Sequence, residues 1–129
     1  MIEEIRYKEL YLSAKEVMDN AYAPYSNYRV GAAVMVTSGN VFTGVNVENS
    51  SYGATICAER VAVSSAISAG KNSIIAIAIA IEEGEASPCG ICRQFIYEFG
   101  SDIDVIVGED EDHLKVNKIE DLLPNGFIL

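Results

Sequence analysis

Basic residues, prolines and cysteines are all scarce in this sequence, and each shortage excludes a class of protein. Nine Lys and Arg residues stand against nineteen Asp and Glu in 129 residues, a formal net charge of −10. A surface of this sign repels phosphate backbones, so no nucleic-acid partner is expected. Three prolines and an apolar fraction of 50% argue against a disordered chain. We therefore expect one folded domain over residues 1–129.

The cysteine count and the absence of a targeting signal bear on the compartment. Three cysteines are an odd number, which suits a disulfide framework poorly. The N-terminus carries Glu3, Glu4 and Glu9 instead of the basic start and apolar core of a signal peptide. The longest apolar run, Ile74–Ile81, is too short to cross a bilayer, so no membrane association is expected. These features predict a protein of the reducing cytoplasm, where cysteines act as ligands or catalysts.

Apolar spacing and turn residues divide the chain into helices and strands. Helical spacing or favoured caps predict helices over Glu3–Ala21, Ile56–Ala69, Ser87–Phe99 and Lys118–Leu123. Strand patterns occupy Val30–Thr37, Val41–Val47, Ile74–Ile81 and Ile103–Val107. The third of these strands is apolar on both sides, which favours a central strand covered above and below. The order α-β-β-α-β-α-β-α predicts a mixed sheet sandwiched between helices.

The three cysteines lie at the starts of two predicted helices. Cys89 and Cys92 form a Cys-x-x-Cys pair after Pro88, and Cys57 precedes Ala58-Glu59. Unpaired N–H groups and the dipole at a helix N-terminus favour the thiolate, which is the form that zinc binds. Three protein ligands leave a fourth position for water, as in catalytic zinc sites. A Cys-x-x-Cys pair alone fits zinc, redox or core roles, but a redox role leaves the third cysteine unexplained.

Cys-x-Glu followed by Pro-Cys-x-x-Cys is the three-cysteine form of the signature of zinc deaminases that act on cytosine or adenine. The chain resembles the small homotetrameric cytidine deaminases over nearly its whole length. Six blocks in the family's order carry the resemblance: Ala23-Pro24-Tyr25-Ser26, Val30-Gly31-Ala32-Ala33, Gly44-Val45-Asn46-Val47-Glu48-Asn49, Cys57-Ala58-Glu59-Arg60, Pro88-Cys89-Gly90-Ile91-Cys92-Arg93-Gln94 and Leu122-Leu123-Pro124.

The resemblance implies both a fold and an activity. The implied fold is a three-layer α/β/α sandwich around a mixed five-stranded sheet. The implied activity is hydrolysis of cytidine and 2′-deoxycytidine to uridine and 2′-deoxyuridine in pyrimidine salvage, with one zinc ion per subunit held by Cys57, Cys89 and Cys92. A homotetramer with shared active sites is also implied.

The chemistry needs a proton carrier near the metal. Water attack at C4 of cytosine requires the water to lose a proton and N3 to gain one. Glu59 is expected to carry that proton to N3 and then to the leaving amine. Zinc with three thiolates sums to a charge of about −1, so we expect Arg60 to donate to the sulfurs and offset it, as the resemblance implies. The alternatives are a first-turn carboxylate at Glu59 and a surface salt bridge at Arg60.

Other substrate contacts are implied by the resemblance alone. Asn46 and Glu48 match the pair that holds the ribose 3′-hydroxyl, or they are plain polar residues at a strand end. Tyr28 matches an aromatic residue near the substrate, usually Phe in relatives, or it belongs to the core. The backbone N–H of Ala58 is expected to meet the cytosine O2.

Two aromatic residues match positions that relatives lend to a neighbouring subunit's site: Tyr52 and Phe127. As an alternative, Phe127 anchors the tail. Ile91 replaces the usual Ala between the cysteines and is expected to narrow the wall near zinc. The sequence ends two residues after Phe127, which leaves less chain to cover a neighbour. His113 lies in an acidic run and is expected to be a solvated loop residue.

Three other functions compete with this interpretation. A deaminase of the antibiotic blasticidin S would share the cysteine motifs, although the Asn46-Val47-Glu48 segment favours a ribonucleoside. A polynucleotide-editing enzyme would need a basic channel, which the charge of −10 opposes. A structural zinc protein would not need Glu59.

Overall fold

The structure, a computed structural model, describes residues 4–129, with side chains described from residue 6 onward; the predicted helix start at Glu3 lies outside this range. The helices are α1 (Glu4–Val17), α2 (Ala58–Ser68), α3 (Gly90–Tyr97) and α4 (Ile119–Leu122). The strands are β1 (Val30–Val36), β2 (Val41–Val45), β3 (Ile74–Ile81), β4 (Asp104–Gly108) and β5 (Leu114–Lys118).

The five strands form one mixed sheet in the order β2-β1-β3-β4-β5. All neighbouring pairs are antiparallel except β3 and β4, which are parallel and are joined through α3. In the register, Ala32 of β1 lies opposite Gly44 on one side and Ile79 on the other. The all-apolar strand β3 is therefore central, as its lack of a polar face predicts.

One strand was not located by the sequence pattern. β5 pairs with β4 antiparallel, with Val116 opposite Ile106, and the observed order is α-β-β-α-β-α-β-β-α. β5 is an edge strand whose sequence, LKVNK, is mostly polar and partly exposed, so it lacks a clear apolar period. The last helix begins at Ile119, one residue later than predicted, because Lys118 belongs to this strand.

Helices cover both faces of the sheet, which confirms the three-layer sandwich. On one face α1 packs against the small side of β3, in a buried cluster that includes Leu10, Tyr11, Ala14, Ala76, Ala78 and Ala80. On the other face lie α2, α3 and α4, in a cluster that includes Ala62, Val63, Ile77, Ile79, Ile96 and Ile119. The first helix is shorter than the sequence predicts, since α1 ends at Val17 and a 3-10 turn follows over Met18–Asn20.

Two glycines let helices lie directly on the sheet. A Cβ on Gly31 would clash with the carbonyl oxygen of Ala14 in α1. A Cβ on Gly44 would lie 2.8 Å from the carbonyl oxygen of Ala58 and would clash with the backbone nitrogen of Ala62. The face of α2 that carries the small residues Ala58 and Ala62 therefore packs on the protein's own sheet. A second subunit is not needed to explain why these residues are small. This contact also fixes the height of α2 above β2.

Among the residues described, no helix is both long and apolar enough to cross a membrane.

Candidate metal centre and cleft

Two helix starts carry the candidate metal ligands. Cys57 is the N-cap residue of α2, and Cys89 is the N-cap residue of α3, with Cys92 in the first turn of that helix. The residue before Cys57 is held by a short ladder, because Val47 and Ile56 exchange two backbone hydrogen bonds of 3.0 Å each. Since α2 and α3 lie on the same face of the sheet, their first turns meet.

The three thiols form a compact cluster. Their sulfur atoms all lie within 4.8 Å of one another, and the Sγ atoms of Cys57 and Cys89 are 3.9 Å apart. Sulfur atoms bound ~2.3 Å from a tetrahedral zinc lie roughly 3.8 Å apart, so the spacing and the donor type both fit this metal. Cys92 is buried, Cys57 half-buried and Cys89 exposed. The structure thus brings together the three residues that the sequence predicts as ligands.

The cluster favours ionised sulfur at Cys57. Hydrogen bonding from Cys92, together with Arg60 and Cys89, outweighs burial and lowers the pKa of Cys57 to about 5. The hydrogen bond to Cys57, followed by burial, raises the pKa of Cys92 instead. The three thiols therefore share charge as one group, and Arg60 is one of the residues that stabilise it.

Glu59 and Arg60 lie beside the thiols in different environments. Glu59 is only 4% exposed, and burial, with a smaller contribution from Cys57, raises its pKa. Burial opposes the charged form of Arg60, but the thiols of Cys57 and Cys92 outweigh it and raise the pKa of Arg60. The Arg60 Nε is buried without a hydrogen-bond partner among the described residues. An uncommitted donor suits a site whose sulfurs are all ionised.

Cys57, Cys89 and Glu59 line a cleft of ≈ 210 Å³, whereas Cys92 lies buried behind it. Its wall comes from the β1 and β3 ends, the α2 start and the segment before α3, and consists of Tyr28, Val30, Asn46, Thr55, Ile56, Cys57, Ala58, Glu59, Ile79, Ile81, Ala86, Ser87 and Cys89. Three predicted substrate residues, Tyr28, Asn46 and Ala58, are in this wall. Thr55, Ala86 and Ser87 were not predicted, although each lies within three residues of a metal-ligand motif.

Asn46 and Glu48 both hold the loop that precedes β1. Asn46 is 8% exposed; its Oδ1 accepts a bond of 2.9 Å from the Val30 N–H, and its Nδ2 donates one of 2.7 Å to the Tyr28 carbonyl. An amide retains one N–H and one lone pair after two such bonds. Glu48 accepts hydrogen bonds from the Tyr25 N–H at 2.9 Å and from Ser26, and the Ser26 bond lowers the pKa of Glu48.

The two residues thus differ in their position relative to the cleft. Asn46 lines it, whereas Glu48 is not part of its wall. Tyr28 is exposed and lines the cleft, so the alternative of a core residue is wrong.

The other predicted residues lie outside the cleft of a single chain. Tyr52 is 82% exposed and Phe127 64% exposed. The Gln94 Nε2 donates to the Phe127 carbonyl at 3.1 Å, which holds the backbone of the tail and leaves the ring free. Ile91 is also exposed and is absent from the cleft wall, so the narrowing expected from it is not seen within one chain. His113 is exposed and contacts Asp110, as expected of a loop residue.

The fold and this donor set together define a zinc-dependent deaminase. Residues 5–109 match the family described as the cytidine and deoxycytidylate deaminase zinc-binding region. The chain is 45% identical over 117 residues to a probable cytidine deaminase of Dictyostelium discoideum, covering 89% of this chain and 79% of that protein. A cytidine deaminase of Halalkalibacterium halodurans is 39% identical over 116 residues, which are 88% of each chain.

The solved structures agree with the sequence matches. The cytidine deaminase of Burkholderia pseudomallei superposes with a TM-score of 0.87 at 44% identity, covering 92% of this chain and 97% of that one. This chain therefore belongs to the cytidine and deoxycytidylate deaminase family.

Proposed function

We propose that this chain hydrolyses cytidine and 2′-deoxycytidine to uridine and 2′-deoxyuridine, with release of ammonia. One observation carries the proposal: three thiols lie within 4.8 Å of one another, and two of them, Cys57 and Cys89, line a cleft together with Glu59, which is only 4% exposed. Relatives named cytidine deaminase, at 39–45% identity, support this substrate class over blasticidin S.

Each step can be assigned to residues of this chain. Cys57, Cys89 and Cys92 would hold the zinc ion, which when bound supplies the Lewis acidity that makes water a nucleophile at neutral pH. Glu59 takes a proton from the attacking water and delivers it to N3 of the cytosine as the C4–O bond forms. Glu59 then takes the remaining proton from the new C4 hydroxyl and passes it to the amine, which leaves as ammonia when the C4–N bond breaks and the C4=O bond forms. Burial raises the pKa of Glu59, which is the direction expected of a carboxyl that both accepts and donates a proton.

Binding of the base and sugar follows from the cleft wall. The backbone N–H of Ala58, in the first turn of α2, is one of the helix-start donors without a partner inside the helix, and it binds the cytosine O2. Asn46 uses its remaining amide N–H for the ribose 3′-hydroxyl, and Tyr28 packs against the nucleoside. Glu48 contributes to the same hydroxyl site by holding the Tyr25–Tyr28 loop in place.

Charge and redox chemistry support the remaining parts of the proposal. A net charge of −10 favours a small neutral nucleoside over a polynucleotide. Three free thiols that must stay reduced to bind zinc favour the cytoplasm.

We also propose a homotetramer in which neighbours complete each active site. The cleft of one chain, ≈ 210 Å³, is smaller than most ligand pockets, which span about 300–1,000 Å³. Tyr52 and Phe127 are exposed on the same chain and offer rings to a neighbour. A monomeric mass by light scattering, with full activity, would contradict this assembly.

A substrate panel with a matched pair of variants tests the activity. Wild-type protein should convert cytidine and 2′-deoxycytidine, and the loss of the cytosine absorbance measures this conversion. Removal of zinc by a chelator should abolish the reaction. Glu59→Gln should retain zinc and the fold while kcat falls by about 10²–10⁴-fold, the usual contribution of a general acid–base group. Glu16→Gln, an exposed residue of α1, serves as the control and should match wild type. Zinc-loaded protein that is inert on both nucleosides, or that acts on blasticidin S alone, would overturn the proposal.

A further inference from the structure

The segment that leads into α3 has little backbone support. Residues 82–88 connect β3 to Cys89, and none of their backbone groups bonds to another backbone group in the described part of the chain. The first half of the segment is held by side chains of other elements: Lys15 donates to the Glu82 carbonyl at 3.1 Å, and Arg29 pairs with the Glu82 carboxylate at 2.9 Å. A different residue must hold the half that adjoins Cys89.

Arg93 holds that half. Its Nε donates to the Pro88 carbonyl at 2.7 Å, and its Nη2 donates to the Ser87 hydroxyl at 3.1 Å. Its Nη1 donates to the Leu122 carbonyl, at the end of α4, at 2.8 Å. One planar guanidinium therefore ties the two residues before Cys89 to the end of α4.

The end of the tie at α4 is joined to the buried core. α4 begins at Ile119, which is fully buried and whose N–H bonds to the Ile103 carbonyl at 2.9 Å. The guanidinium thus braces the weakly supported segment against the core, and Arg93 itself is not part of the cleft wall.

Cys89 is the ligand that most needs such a brace. Cys57 follows a residue fixed by the Val47–Ile56 ladder, and Cys92 is buried inside α3. Cys89 is exposed, and no side chain caps the helix at its position. We propose that Arg93 is a positioning residue that fixes Cys89 for zinc, an inference that rests on the proposed zinc site.

The rate of zinc release to an excess of chromogenic chelator tests this role. All variants are compared at a temperature at which circular dichroism shows them folded. Arg93→Gln should release zinc about 10–100-fold faster than wild type, the usual effect of losing a group that orients a metal ligand. Arg93→Lys should lie in between, because a single ammonium cannot reach all three acceptors. The cobalt-substituted forms of both variants should show weaker thiolate-to-metal absorption.

Matched variants separate positioning from general stability. Arg6 also donates from Nη2 to a loop carbonyl, that of Gly39 at 3.3 Å, but in the β1–β2 turn away from the cleft. Arg6→Gln should therefore leave zinc release unchanged even if it lowers Tm. Ser87→Ala removes one acceptor without altering α3 and should speed release about fivefold, the effect of one lost hydrogen bond.

The outcomes distinguish the two proposals. If Arg93→Lys and Ser87→Ala release zinc at the wild-type rate, Arg93 is only a folding residue and the inference fails. If the Arg93 variants do not fold, the Ser87→Ala rate decides alone. If the wild-type protein binds no zinc at all, the proposed function fails instead.

Discussion

The two helix starts that carry the candidate metal ligands are stabilised in different ways. The start of α2 is held by backbone contacts, namely the Val47–Ile56 ladder and the close approach of Ala58 to Gly44. The start of α3 is held by side-chain donors from Arg93 to the segment before it. A cysteine at a helix N-terminus can therefore be held in place either by backbone contacts or by side-chain hydrogen bonds.

The difference matches the chemistry assigned to each side. The α2 start carries Glu59, whose carboxyl contacts both water and base in the proposed mechanism, and a backbone anchor gives it little freedom. The α3 start contributes only ligands and part of the cleft wall. We expect substitutions at the first site to affect the whole domain, and substitutions at the second to affect mainly the metal.

The largest effect is expected from Gly44→Ala, which disrupts the close backbone contact between β2 and the start of α2. The added Cβ would lie 2.8 Å from the Ala58 carbonyl oxygen, so α2 must move away from β2. We expect the free energy of unfolding in urea to fall by about 1–3 kcal/mol, with activity reduced in the folded protein. Gly53→Ala is the control, because nothing lies within 4 Å of its Cβ position. Equal stability of the two variants would show that the anchor is not close-packed.

A second prediction concerns the access of reagents to the thiols. In metal-free protein, iodoacetamide should modify Cys57 and Cys89 well before Cys92, because Cys92 is buried and the pKa of its thiol is raised. Peptide masses taken over a time course give the order. In urea the three rates should converge, and an early reaction at Cys92 under native conditions would contradict the geometry.

The smallest effect is expected at Glu48, on the segment that leads to α2. The Ser26 hydrogen bond lowers the pKa of Glu48 below its ordinary value of 4.5. A lowered folded pKa stabilises the protein above the ordinary value, and this contribution is lost as the pH falls through the folded pKa. The stability gap between wild type and Glu48→Gln, measured by denaturant in metal-free protein, should therefore be small at pH 7 and vanish in acid. A gap that is constant with pH would argue against a charged role.

The site was more accessible to sequence reasoning than its supports were. Cys57, Cys89, Cys92 and Glu59 occupy short local motifs whose spacing follows from helix geometry, so the cluster could be predicted. Arg93 could not, since two of its three acceptors are backbone carbonyls that only the folded chain brings together. Arg93 stands in the motif block that contains Cys89 and Cys92, but nothing in that block identifies the acceptors of its guanidinium.

The fold shows the same division. The central strand β3 and its helices follow from strong apolar patterns, whereas β5 was missed because an exposed edge strand need not alternate. The contact at Gly44 shows that the small residues Ala58 and Ala62 of α2 pack on the protein's own sheet, which their spacing in the sequence alone does not reveal. Local sequence patterns thus predict the helices and strands. The surface against which each of them packs is known only from the tertiary structure.

The placement of the segment after β3 has a consequence for how such a protein changes over evolution. It leaves the sheet at Ile81, at the carboxyl end of a strand that is paired in parallel with β4, and forms one side of the cleft. Because this segment is not paired with any strand of the sheet, residues can be inserted between Glu82 and Ala86 without unpairing a strand or moving a cysteine. The shape of the cleft wall at Ala86 and Ser87 is therefore the property that this scaffold can alter most readily while its architecture stays constant.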